Sequence, residues 1–424
     1  MRKLMKGCLG VATAIVAVHF ALADVHAGVF SECSPCEVVS CDPCEPCNPC
    51  DAVCGKKSQW NFGGWVEAGV YVNSWGQTDR YAGGQLVAPG NSNLLSNVRQ
   101  ASFQMNQLWL FAERELDTRR GFDVGGRVDF LFGTDGYFSQ SDGLEFRSGT
   151  PNATRWREGD YYSSFAQIYA EVGVHDVSVK AGKFLTPFGH ESFMSPERFF
   201  YSLSYAFGQL PVTHTGVLAT WAPSDKFSLM GGWVNGADKT FYDQDDNAAV
   251  FGATLKLNKK VSLSYVGGIG VEKNFVDGIV APHDRDYFIQ SVIVKVTPNK
   301  RWDYTFEWTL VNQNEEFFVA TQPPLQVHRR TGAYGINNEL IYRFNSKWAT
   351  GFRVEWMHTY LGNAGNDFYE YTLGANWTPT QWLLIRPEVR YDKVYGGIEP
   401  FNDQPGRDAH TDQISGGVSA VVKF

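Results

Sequence analysis

The feature that most constrains this chain is a two-residue rhythm that returns from Trp60 to Phe424. In WDYTFEWTL (302–310), Trp302, Tyr304, Phe306, Trp308 and Leu310 share one face; Asp303, Thr305, Glu307 and Thr309 share the other. FDVGGRVDFLFG (122–133), AQIYAEVGV (166–174) and YEYTLGANWT (369–378) repeat the pattern. Side chains alternate in this way along a strand, whereas a helix brings residues three and four apart onto one side. Sixteen segments predict strands at 60–73, 103–116, 121–133, 164–175, 177–184, 214–222, 226–236, 249–257, 260–270, 286–297, 301–312, 332–344, 347–358, 368–378, 382–392 and 413–424. Most are roughly as long as a tilted strand needs to be to cross a bilayer.

The connections alternate in length. Short ones (LDTRR, HD, APSDK, LNKK, TPNK, NSK, TPT) interleave with much longer ones. That alternation belongs to an all-β, antiparallel transmembrane β-barrel of about sixteen strands, with short periplasmic turns and long external loops. An even strand count puts both termini on the periplasmic side.

The two faces decide between a membrane barrel and a soluble sandwich. With each strand's more apolar side turned outward, Arg114 and Lys183 are the charges left on that surface. A charge at the bilayer midplane costs roughly 2–4 kcal/mol, so lipid would enforce such a count. The opposite face carries Glu67, Asp123, Arg127, Asp129, Glu171, Lys180, Glu307, Arg353, Glu355, Arg386, Glu388 and Arg390, among others. No dry sandwich core accepts that many ionisable groups, so they are predicted to line a wet lumen. Trp60, Trp221, Phe227, Trp302, Phe344, Trp348, Trp377 and Phe424 all point outward beside short turns or chain ends, as a girdle of interfacial aromatics would. The terminal Phe424 on an apolar last strand resembles a recognition signal for barrel-assembly machinery. Pro387 breaks the pattern, because it lacks a ladder donor, and predicts a bulge or a misplaced boundary.

Met1-Arg2-Lys3-Leu4-Met5-Lys6, a short apolar run and Ala21-Leu22-Ala23 predict a secretory signal over 1–23, with Val25-His26-Ala27 as an alternative cleavage site. Loss of Arg2, Lys3 and Lys6 with that leader takes the formal charge from −8 to −11, which argues against nucleic acid as a partner. Residues 24–58 form a Pro/Cys-rich periplasmic tail, and 59–424 the barrel. Cys44, Cys47, Cys50 and Cys54 have the spacing of an iron–sulfur site, and the C-x2-C pairs suit zinc. Export into an oxidising space favours disulfides among Cys33, Cys36, Cys41, Cys44, Cys47, Cys50 and Cys54 instead. Seven thiols leave one over for an intermolecular crosslink. No cofactor or metal is expected.

The connection LTPFGHESFMSPERFFYSLSYAFGQLPV (185–212) is too aromatic to lie in water. It predicts a third loop folded into the lumen, with a helix starting at Ser195-Pro196-Glu197 and His190, Glu191, Glu197 and Arg198 at a constriction; an external cap or subunit contact is the alternative. Acids outnumber bases on the inner face, which predicts a mild preference for cations.

GWVEAGVYVNSWG, the AEREL…GGRVDFLFGTDG pair and, above all, AGKFLTPFGHESF…FFYSLSYAFGQLPVTHTGVLATW resemble the OmpL-like β-barrel porins of certain diderm bacteria. The resemblance covers Trp60–Phe424 and implies an outer-membrane channel of unassigned substrate, with no catalytic residues to carry across; the expected function is passive diffusion of small hydrophilic solutes. A structural or adhesive barrel is the competing reading. A barrel enzyme is another, for which His214 is the histidine to inspect as a base.

Overall fold

The computed structural model describes residues 59–424 apart from 77–79, 83–84, 89–90, 92–96, 98, 147–155, 241–245, 275–282, 320–324 and 403–408. The predicted leader and the seven cysteines of the tail lie outside the described residues.

Among the described residues sixteen long strands close into one antiparallel barrel. They are β1 (Trp60–Asn73), β2 (Phe103–Arg114), β3 (Phe122–Gly133), β4 (Tyr161–Val174), β5 (Val177–Leu185), β6 (Thr213–Ser224), β7 (Phe227–Val234) and β8 (Asn247–Asn258). The second half comprises β9 (Val261–Asn274), β10 (His283–Asn299), β11 (Trp302–Val319), β12 (Leu325–Arg343), β13 (Trp348–Leu361), β14 (Ala364–Thr380), β15 (Leu383–Gly396) and β16 (Asp412–Lys423). Each strand pairs with the next, and β16 returns to β1 in a register running from Trp65↔Lys423 to Asn73↔Ser415. Closure removes the edges that an open sheet would expose.

Alternation sorts the side chains as expected. Along β11, Thr305, Glu307 and Thr309 are buried while Trp302 is exposed, and in β15 Arg386, Glu388, Arg390 and Asp392 are buried between exposed Val389 and Tyr391. The predicted girdle is present at the short-turn end: Trp348 and Trp377 are directly paired and stacked at 5.5 Å, and Phe424 is 60 % exposed. The strands run further than their apolar stripes. β11 reaches Val319, and β13 and β14 extend to a turn of two residues, Gly362 and Asn363, where a long connection was expected. Past Val311, β11 reads Asn312-Gln313-Asn314-Glu315-Glu316, polar on both faces, so hydropathy no longer marks it.

Three expectations are corrected. Lys183 is not on the outward surface: it is 3 % exposed and donates to Ser139 O at 2.8 Å and Glu145 Oε1 at 3.2 Å, because the connection after β3 folds inward against β5. Pro387 makes no bulge and moves no boundary: the β16 ladder runs in register through Pro387↔Val418, and the β14 ladder keeps register from Gly374↔Glu388 to Trp377↔Ile385, its shift lying beyond, between Trp377 and Thr380. The inner face is not polar throughout. Leu218, Val234, Val250, Val266, Ile289 and Val311 form a buried cluster with Phe184 and Phe188, which makes the interior of β6–β11 apolar at one level.

Candidate functional site

Residues 186–212 leave β5 and return to β6 through the barrel interior. Phe188, Phe193, Phe200, Tyr201, Leu203, Tyr205 and Ala206 are all buried there. The expected helix at Ser195 is only a single 3-10 turn, Ser195–Glu197, without a side-chain cap. The helix, α1 (Tyr205–Gly208), lies further on, where Ser204 Oγ accepts from Phe207 N at 3.0 Å.

Irregular backbone inside a barrel must find partners for its N–H and C=O groups, and here the wall supplies them. Glu388 accepts from Tyr201 N at 2.7 Å and Ser202 N at 3.0 Å. Glu355 accepts from Tyr205 N at 2.6 Å and Ala206 N at 2.5 Å. Arg386 donates to the carbonyls of Ser195, Arg198 and Phe200 at 3.0, 3.0 and 3.3 Å, and also pairs with Glu67. Arg390 donates to Leu203 O at 2.8 Å and Arg353 to Ser202 O at 3.1 Å. Gln107 bridges Phe193 O and Ser195 N. The wall charges therefore hold an inserted segment rather than stand free in water.

Glycines make room for its rings. A Cβ at Gly351 would fall 2.4 Å from Phe199 Cε1, one at Gly374 3.0 Å from Phe200 Cδ1, and one at Gly268 2.8 Å from Phe188 Cζ. Arg353 and Arg390 lie over the faces of Phe200 and Tyr205, each 4.8 Å from the ring centre.

The four constriction candidates separate. Glu197 is exposed and accepts from Ser192 Oγ at 2.8 Å. His190 is half-buried, its Nε2 3.3 Å from Glu339 and its backbone N–H directed at Glu307. Glu191 lies beneath, 3.1 Å from Arg353 and accepting from Ser204 N at 2.8 Å. Burial pushes its carboxyl above the ordinary range, against the pull of Arg353. Arg198 is 4 % exposed, 3.0 Å from Glu67 and 3.5 Å from Asp135. Burial likewise raises the Asp135 carboxyl, against the pull of Arg198.

Of the residues expected to line a wet lumen, Asp123, Arg127, Glu171 and Lys180 keep partial exposure, with Asp123 2.9 Å from Arg114 and Arg127 2.8 Å from Asp129. Glu67, Asp129, Glu307, Arg353, Glu355, Arg386, Glu388 and Arg390 are buried. Sequence reading missed Gln107, Asp135 and Glu145 because nothing in their own strands or loops marks them as partners of a distant segment. The inward-facing glycines were the available signal: on a strand side otherwise bearing Arg and Glu, Gly351 and Gly374 leave gaps that something must fill.

His214 is not poised as a base. It is 1 % exposed, with Nδ1 2.9 Å from Gly236 O and Nε2 3.2 Å from Thr186 Oγ1. At the end of the inward segment, Asp238 accepts from Thr213 N at 2.7 Å and Val212 N at 3.1 Å, and burial pushes its carboxyl up to about 6 against those bonds.

The barrel is similar to solved outer-membrane structures. OmpT of Vibrio cholerae, in its trimer form, matches with a TM-score of 0.55 at 13% identity, covering 86% of this chain and 99% of that one. The outer-membrane channel DcaP of Acinetobacter baumannii gives 0.54 at 11%, covering 86% and 97%. An anion-selective porin from Comamonas acidovorans gives 0.50 at 10%, covering 86% and 99%. At these identities the likeness is one of fold. No curated protein matches the sequence. The family described as "Putative beta-barrel porin-2, OmpL-like" matches residues 59–424, and the chain belongs to that family.

Proposed function

We propose that this protein is an outer-membrane porin that passes small hydrophilic solutes and ions by passive diffusion with a mild preference for cations, and is not an enzyme. The observation that carries the reading is the segment 186–212, inserted into a closed barrel and tied there by wall charges, which narrows the interior without crossing the sheet. Cation preference draws support from the carboxylates that stay at least partly exposed on the inner face and the inward segment, Glu113, Glu115, Glu171 and Glu197. The Comamonas porin is titled anion-selective; a shared barrel leaves that sign to local charge. Liposome swelling with graded sugars tests passage, and the reversal potential across a salt gradient tests its sign. Swelling in no sugar together with no current across a bilayer would end the channel reading, and an anion-directed potential the cation preference.

A structural or adhesive barrel is the second reading, favoured by how fully the inward segment packs against β1, β2 and β13–β16. We also place both termini in the periplasm, with export by the N-terminal signal, the tail cysteines in disulfides with at least one left to crosslink an envelope component, and the exposed Phe424 read by assembly machinery. Absence of a reducible high-mass species on non-reducing gels of native envelopes would remove the crosslinking role.

A further inference from the structure

Every one of the sixteen strands buries at least one inner-face side chain, from Glu67 on β1 and Asp129 on β3 through Val250 on β8 to Arg353 and Arg386 on β13 and β15. At that belt the wall is dry all the way round. Between the limbs of the inward segment the space bordered by Thr186, Phe188, Phe207 and Leu210 admits about one water molecule, too little for a solute. A path past the belt therefore has to open between the segment and the wall, and the two sides of the segment are held in different ways.

Toward β13–β16 the hold is charged and directional. Arg353, Glu355, Arg386, Glu388 and Arg390 bond the backbone between Ser195 and Ala206, and parting that side breaks charge-assisted bonds one after another. Toward β6–β10 the contact is apolar. Phe188 and Leu210 pack with Phe184 against Leu218, Val234, Val250, Val266 and Ile289. The Phe188 ring is seated over Gly268 of β9, where a Cβ would come within 2.8 Å of Cζ. Water entering such a contact finds nothing to bond, so the seam is either dry and shut or wet and open.

The backbone lets these two side chains move without the rest of the segment. Gly189, at φ +80°, directly follows Phe188, and the exposed Gly208 stands two residues before Leu210. A Cβ at Gly189 would fall 2.9 Å from Leu210 Cδ1, so the two limbs touch at this point. The small cavity beside Phe188 gives its ring a place to turn into.

We infer that the seam between Phe188 and the β7–β10 wall is a hydrophobic gate, and that solutes cross the barrel along it while the charged side of the segment stays docked. The inference rests on the channel reading and deepens it, since it names where the path runs and what closes it.

Single-channel recording of the full-length protein in planar bilayers tests this, with heat-modifiable gel mobility as the folding control and protease resistance of 186–212 followed in the same preparations. Wild type is expected to stay closed for most of the record and to open in brief steps. Phe188→Ala removes the ring, and Val250→Thr keeps the shape of the wall while adding a hydroxyl that water can bond. Each should raise the open fraction, Phe188→Ala on the order of tenfold, with the segment as protease-resistant as in wild type. That resistance separates a gate from general loosening, because Arg386→Met, which unties the charged side, is expected to lose it. Folded variants that keep the wild-type open fraction would overturn the inference, and so would a gain accompanied by cleavage within 186–212. A steady wild-type current indifferent to Phe188 would remove the gate and leave the channel reading standing. Silence in wild type, Phe188→Ala, Val250→Thr and Arg386→Met alike would remove the channel reading, and the gate with it.

Discussion

Replacing Arg386 with methionine removes the side chain on which the inward segment depends most. Its guanidinium donates to three loop carbonyls, to Ser195 Oγ at 3.1 Å and to Ser419 Oγ at 3.2 Å, and it neutralises Glu67. Glu67 keeps Arg198 at 3.0 Å, so its charge is not abandoned. The three carbonyls are left in a dry site, each at a cost of about 1–1.5 kcal/mol, the lower part of the range for a buried group left without its partner. Together the docked state loses about 3–5 kcal/mol, the range measured when one member of a buried ion pair is removed. That is a shift of about two to three and a half decades in the docked-to-released ratio. The barrel itself should survive, because the ladder through Arg386↔Ser419 needs only backbone. Arg386→Met is therefore expected to fold, to show larger and noisier single-channel currents, and to become cleavable by protease within 186–212. Arg386→Lys keeps the charge but loses the planar fork and should fall between. Wild-type conductance and wild-type protease resistance in Arg386→Met would refute the claim that wall charges hold the segment in place.

Gly351→Leu puts a side chain where Phe199 lies 2.4 Å from the position of a Cβ. Overpacking of about 1–3 kcal/mol should displace the segment, and adding Phe199→Ala should restore wild-type conductance. Asp238 titrates near 6 in the fold against about 3.9 in an unfolded chain, so the stability it contributes is complete below pH 4 and is lost as pH rises through 6. The full effect is about 3 kcal/mol, and the partial exposure of Asp238 reduces it to about 1–2 kcal/mol. Denaturation of wild type and Asp238→Asn between pH 4 and 7 should show wild type gaining relative stability as pH falls; a difference that stays constant would contradict the assignment. Trp348→Ala with Trp377→Ala should lower heat stability in bilayers by more than the same pair does in detergent, as loss of an interfacial girdle requires, and equal losses would argue against it.

The barrel was legible because lipid imposes one rule on every strand. Outward residues such as Trp302, Trp308, Val389 and Ile414 are apolar whatever their neighbours do, so a period of two survives in each segment. The strand ends were less legible, since from Asn312 to Glu316 both faces are polar and the alternation lapses. The inward segment could be recognised from its aromatic content, but its role in the site could not. Arg353, Glu355, Arg386, Glu388 and Arg390 look like water-facing residues when read along their own strands. Only contacts across long stretches of sequence, such as Tyr205 N to Glu355 at 2.6 Å, reveal that they grip a distant loop. For the same reason Lys183, read as facing lipid, proves to be held by Ser139 and Glu145 from another connection.

The measurement that bears most directly on the whole account is the current through purified protein in a planar bilayer, recorded for wild type and Arg386→Met side by side. Discrete steps in wild type that grow when Arg386 is lost would mean that a hydrated path runs past the inward segment. A membrane that stays silent for both proteins, each inserted and folded, would mean that no such path exists.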